Sequence, residues 1–155
     1  LYPELEYIFK HALTQEVAYE SLLKQRRRKI HERVARTIEE LYAGGLEEHY
    51  ELLAHHYELS GNAEKTVEYL LLAGEKSHIQ LAAQTTCEFF EKALHIADRE
   101  HIELEPEDEA NAHRALGFAR LDMGDIQEAM NEAGKAATIN RRHGIVEGAM
   151  LEFGG

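Results

Sequence analysis

The chain has a single cysteine, Cys87, and only two prolines, Pro3 and Pro106, in 155 residues. One cysteine cannot form an internal disulfide, so a disulfide-framed secreted scaffold is excluded and a reducing compartment is implied. Two prolines leave long stretches free of helix breakers. No apolar run approaches the roughly 20 residues a membrane-spanning helix needs. The start, Leu1-Tyr2-Pro3-Glu4, has neither the basic region nor the long apolar region of a secretory signal. A cytoplasmic location is therefore expected, and the sequence reads as a piece of a larger protein.

What the chain does have is acid. Asp and Glu number 29 against 17 Lys and Arg, a formal net charge of −12. The imbalance is uneven. Residues 1–45 hold 8 basic and 7 acidic residues, and residues 46–155 hold 9 and 22. Such a balance argues against a general nucleic-acid binder, which needs a basic footprint on the phosphates. A local exception is 24–36, with seven basic residues and one acid, Glu32. No aromatic interleaving or groove-reading motif accompanies it, so it is expected to be the solvated face of an amphipathic helix.

Periodicity points to helices nearly throughout. The segment 7–11 is the one short strand candidate, and Val17, Leu22 and Leu23 mark one face of a first helix. Ile30, Val34, Ile38 and Leu41 form an apolar stripe that Gly44-Gly45 terminates. Further helices are predicted over 46–59, 63–78, 82–100, 107–122 and 126–140, with a partial one from about 145. Ser60-Gly61-Asn62 supplies one turn, and Pro106 suits the first position of its helix. The expectation is an all-α fold of antiparallel helical hairpins.

Such arrays call for a test of internal repetition. Residues Leu116, Gly117, Gly124, Ala129 and Ala136 fall at positions 7, 8, 15, 20 and 27 of a 34-residue unit spanning 110–143. Small residues at 8 and 20 let two helices cross closely. A second copy over 47–80 aligns Tyr50, Leu53, Ala54, Tyr57, Gly61, Leu70 and Ala73 in the same register, with Thr66 at position 20. Between them, Thr86, Phe90 and Ala93 read as the second half of an irregular unit, 67–100, that shares a helix with its predecessor. This pattern resembles the tetratricopeptide repeat. The last unit departs from the family at Arg120, Ala133 and Arg141. The resemblance implies a right-handed superhelical array, with units 47–80, 67–100 and 110–143 and a partial unit over 144–155.

Residues 1–45 do not follow that pattern and read as a non-repeat helical junction. Their phrases F-x-H-A-L-x-Q-E-V-A-Y-E-S-L-L and R-R-x-I-H-E-R-V-A, with L-A-H-H-Y and Y-L-L-L-A-G-E-K behind them, are similar to bacterial signal-transduction ATPases. In that family the segment joins an ATPase module to a tetratricopeptide array, often ahead of a class III adenylate/guanylate cyclase domain. The resemblance implies a regulatory scaffold for protein–protein interaction; the alternative is the repeat region of an ATP-dependent transcriptional regulator.

Enzyme signatures are missing. No phosphate-cradling glycine loop, nucleophile elbow or dinucleotide fingerprint is present, so neither catalysis nor a cofactor is expected. Glu48, His49, Glu51, His55 and His56 crowd together, but without H-E-x-x-H or a cysteine cluster they do not make a metal site. Cys87 sits on the apolar side of its helix and is expected to be a packed thiol. The resemblance to the tetratricopeptide family points to the first helix of each hairpin as a groove for a protein or peptide, or for another domain of the same chain. The positions are Glu48, Glu51, His55, Glu58 and Leu59 in one unit, and Asn111, Arg114, Phe118, Leu121 and Asp122 in the last. Self-association through the apolar side of 145–153 is a further expectation; binding to nucleic acid or membrane is not expected.

Overall fold

The computed structural model describes Tyr19 and residues 23–145, and among these the regular structure is all helical, with no strand. Six α-helices follow one another: α1 Lys24–Leu41, α2 Tyr50–Ser60, α3 Ala63–Ile79, α4 Ala83–Glu100, α5 Pro106–Asp122 and α6 Ile126–His143. The strand candidate at 7–11, the helix face built on Val17 and Leu22, and the partial unit beyond 145 lie outside the described residues.

The helix predicted over 46–59 is instead two pieces. A 3-10 turn, Leu46–His49, leads into α2 without a side-chain cap at either start. The ring of Tyr42 lies 4.0 Å from that of His49 across this turn, which folds the chain back after α1. The stripe on α1 is also less buried than its periodicity suggested. Only Ala35 is fully covered, while Ile30 and Leu41 remain exposed among the described residues. Among the described residues α1 packs against α2 and α3, and Ile30 and Leu41 lie outside those contacts.

Helix ends repeat one device. The chain enters the left-handed region at Gly61, Leu81, His101, Gly124 and Gly144. Each time the next amide donates to a carbonyl five residues back, at 2.8–3.1 Å: Asn62 to Tyr57, Ala82 to Ser77, Ile102 to Ala97, Asp125 to Arg120 and Ile145 to Asn140. These are Schellman closures, which satisfy carbonyls that the helix leaves unpaired. At three ends glycine takes the left-handed residue without strain. Leu81 (φ 58°) and His101 (φ 56°) accept it at roughly 1 kcal/mol each. The side chains of Asn62 and Asp125 then cap the following helices, accepting from Lys65 (3.1 Å) and Glu128 (3.3 Å).

Connections of two or three residues at 61–62, 80–82 and 123–125 force consecutive helices antiparallel. α3 packs against α2 on one side and α4 on the other. Contacts also skip a helix. Glu39 of α1 meets Tyr69 and Lys65 of α3, His78 of α3 stacks on Phe118 of α5, and Lys92 of α4 reaches Glu58 of α2 at 2.7 Å. The array therefore has two layers, α1-α3-α5 and α2-α4-α6.

Small residues set the spacing between helices. A Cβ on Gly74 would lie 2.9 Å from the Phe90 ring, so α3 and α4 meet over a bare backbone. At the equivalent place in α5, a Cβ on Gly117 would lie 3.3 Å from the carbonyl of Ala129. One apolar cluster joins Leu53, Ala54, Tyr57, Val67, Leu70, Ala93 and Ile96. A second joins Cys87 and Phe90 to Ala112, Ala115, Leu116 and Ala119, and seats α5 on α4.

Candidate functional site

The ten residues singled out from the repeat register do not form one surface. Glu48 lies in the 3-10 turn, and Glu51, His55, Glu58 and Leu59 lie on α2. Asn111, Arg114, Phe118, Leu121 and Asp122 lie on α5, in the opposite layer. The reason is the helix spacing: ends recur every 20–23 residues, so the second helix of one apparent unit serves as the first of the next.

The α2 set is also engaged. Glu51 pairs with Lys76 at 3.3 Å and Glu58 with Lys92 at 2.7 Å, which bind α2 to α3 and α4. His55 is exposed, edge-on to His56 at 5.6 Å. On α5, Arg114 donates to Asn111 at 2.6 Å, whereas Phe118 and Leu121 present apolar surface, 45% and 52% exposed.

Two concave regions surround Phe118. One, about 330 Å³, lies where α3 ends, α4 begins and α5 passes, and is lined by His78, Leu81, Ala83, Thr86, Phe118 and Asp122. Leu81 is held out by its left-handed backbone and is 81% exposed, as is Ile79 beside it. The rings of His78 and Phe118 stack at 6.1 Å and join α3 to α5 within one layer. The other region, about 260 Å³, runs between α5 and α6 past Gly117, Leu121, Ile126 and Met130. Neither Leu81 nor Ile79 carries a sequence signal; their prominence comes from the turn geometry.

Titratable groups cluster elsewhere, and each cluster ties helices together. The Glu39 carboxylate accepts from Tyr57 (2.7 Å) and Tyr69 (2.5 Å), with Lys65 at 3.5 Å. Burial opposes its ionisation, but the two hydroxyls and the ammonium outweigh burial and hold its pKa below the usual value. Both tyrosines are pushed well up, first by burial and then by donating to Glu39. In α5 and α6, Glu132 is buried between His113 (2.5 Å) and Lys135 (2.6 Å). Burial again opposes its charge, and these two partners again prevail. Arg120 bonds Glu91 between α5 and α4.

Three histidines meet at the α1–α2 contact. His31 and His56 approach Nδ1 to Nδ1 at 2.9 Å, and His31 Nε2 faces the Tyr19 hydroxyl at 3.1 Å. Burial lowers the pKa of both, with further lowering of His31 by His55, and of His56 by His31 and His55. Among the described residues, no three His, Cys, Asp or Glu side chains converge where a metal ion could be held. Cys87 is buried, and burial raises its thiol pKa, which disfavours the nucleophilic thiolate. The Glu39 network and the His113–Glu132 pair join residues 18 to 30 positions apart, and nothing in the local sequence marks them.

By architecture the described residues form an all-α, repeat-like stack of helices, and none of these helices is long and apolar enough to cross a membrane. No family model matches the chain, and no curated protein or solved structure matches it.

Proposed function

We propose that this chain is a protein-interaction scaffold, a tetratricopeptide-like arm of a larger signalling protein that holds a peptide or another domain of the same polypeptide. The observation that carries the reading is the apolar cleft at Leu81 and Phe118. Exposed large apolar side chains beside a concavity, rimmed by His78 and Asp122, have the composition of a recognition surface. The acidity of the repeat region adds a preference for basic or mixed-charge partners. The likeness of the first third to the junction of signal-transduction ATPases suggests the context, a regulatory arm between an ATPase module and an output domain such as a nucleotide cyclase. The test is photo-crosslinking from position 81 in the full parent polypeptide. Crosslinks that map to one surface and vanish with Phe118→Ala support the reading; scattered crosslinks indifferent to Phe118→Ala overturn it.

A further inference from the structure

The hairpins α3/α4 and α5/α6 align under a shift of 43 residues, which carries Ala63–Ile79 onto Pro106–Asp122 and Ala83–Glu100 onto Ile126–His143. The shift pairs Gly74 with Gly117, Leu81 with Gly124 and Phe90 with Ala133. It also pairs Leu70 with His113, Phe89 with Glu132 and Ala97 with Asn140. In α3/α4 these three side chains are apolar and belong to the first cluster or pack on it. In α5/α6 their counterparts are polar, and Glu132 and Asn140 are only 8% and 7% exposed. Polar groups in the place of a packed core cost stability unless every one is satisfied.

Two acceptors here are left over. Glu132, held ionised by Lys135 and His113, can only accept, so Nδ1 of His113 carries the proton of their 2.5 Å bond. Nε2 of the neutral ring is then a bare acceptor. It bonds to no described residue and is not sealed from solvent. The buried Oδ1 of Asn140, about two turns beyond Glu132 on the same stripe of α6, also has no hydrogen-bond partner among the described residues. A structural clamp uses up its polar groups; open acceptors in a core position are the mark of a ligand site.

The acceptors stand at a cavity. Two adjoining concavities, about 810 and 610 Å³, share Glu109, His113 and Arg142 as a common wall. The larger is bounded by the end of α4, the 102–106 segment, α5 and the end of α6, and its floor is Leu94, Ala97, Ile102 and Leu104. Its rim carries Asp98, Glu103 and Glu105. With Glu109 these make four carboxylates that no described cation pairs, against the guanidinium of Arg142 and the ring of His143. Such a lining calls for positive charge and hydrogen-bond donors on an apolar stem. An alkylammonium has three N–H donors, no acceptor and a chain of methylenes. We propose that the cavity between the ends of α4 and α6 binds a primary ammonium group on a methylene stem. Glu109, His113 Nε2 and Asn140 Oδ1 are its three acceptors, and Leu94, Ile102 and Leu104 lie along the stem.

This site is separate from the cleft at Leu81 and does not rest on it. The ammonium group comes either on a free polyamine or on a lysine side chain, and two probes separate these sources: spermidine, and a glycine-flanked dilysine peptide. Isothermal titration at about 0.15 M salt, where loose surface attraction is screened, is expected to give a single saturable site. Binding of spermidine assigns it to free amines; binding of the peptide alone assigns it to a partner's lysine. Glu109→Gln is expected to weaken that binding about tenfold, the loss of one charge-assisted hydrogen bond, and Glu40→Gln on the distant α1 leaves it unchanged. Asn140→Ala, which restores the residue type of α4, weakens binding while stability in urea holds or rises. No saturable binding of either probe overturns the proposal. So does binding indifferent to both Glu109→Gln and Asn140→Ala, which reduces the carboxylates to a solvated surface and Asn140 to a structural side chain.

Discussion

The two hairpins α3/α4 and α5/α6 have the same turn and the same glycine at their crossing, yet they close differently. Phe90 fills the first crossing and presses on Gly74, whereas Ala133 holds the corresponding place in the second. Around the first hairpin the surplus polar groups are drawn into Glu39 and its tyrosines. In the second, Glu132 sits inside the hairpin between His113 and Lys135. One aromatic ring therefore decides which crossing is tightly filled and which is shallow, and position in the stack decides which face is covered.

The strongest test removes the ring. Phe90→Ala is expected to lose about 3–5 kcal/mol of unfolding free energy in urea denaturation, whereas Ala133→Gly at the equivalent position loses only about 1 kcal/mol, a helix-propensity effect. Equal losses would erase the distinction. Next comes the polar clamp. Glu39→Ala strips two part-buried hydroxyls of their acceptor and is expected to cost about 2 kcal/mol, and Glu39→Gln, which keeps an acceptor, less. The folded pKa of Glu39 lies below its reference value of 4.5. Its stabilisation is therefore complete above about pH 4.5 and fades as pH falls through the lower folded value. Acid denaturation of Glu39→Gln should lack that increment.

A smaller contrast separates the glycines. Gly74→Ala drives a Cβ into the Phe90 ring at 2.9 Å and should destabilise by roughly 1–3 kcal/mol. Gly117→Ala gains helix propensity that offsets its 3.3 Å contact, and its stability should stay near that of the parent chain. At the α1 end, His31 and His56 have folded pKa values below 6.5. A depressed histidine favours the fold while neutral, so this support is present above about pH 6.5 and is lost as pH falls through the folded values. Hydrogen exchange should show α1 amides opening first on mild acidification, with α6 amides unaffected. Smallest is Leu81→Gly, which relieves a left-handed leucine and should raise stability by about 1 kcal/mol, unlike any change at Gly124.

Much of this architecture was readable before the fold. The stripe through Val67, Leu70 and Ala73, the turn at Ser60-Gly61-Asn62 and the proline opening α5 are local signals, because helix periodicity and capping act within a few residues. The turns at Leu81 and His101 were not readable as glycine-type closures, since the side chains there give no hint of a left-handed backbone. The candidate site was readable only in part. Phe118 and Leu121 are exposed on α5 as their repeat positions suggest, but Glu51 and Glu58 are taken up by Lys76 and Lys92, partners 25 and 34 residues away.

By itself the sequence determined, over the described residues, a run of helices with short turns and small residues where helices cross, because hydrophobic period, glycine and proline act locally. Only the tertiary structure decided which helices share a layer. A helix end every 20–23 residues lets α3 pair both with α2 before it and with α4 after it, so register alone leaves two stackings open. Long-range packing chose between them: Glu39 on Tyr69, Lys92 on Glu58 and His78 on Phe118. That choice put Leu81 and Phe118 around one cleft and left Glu51 and His55 in the other layer.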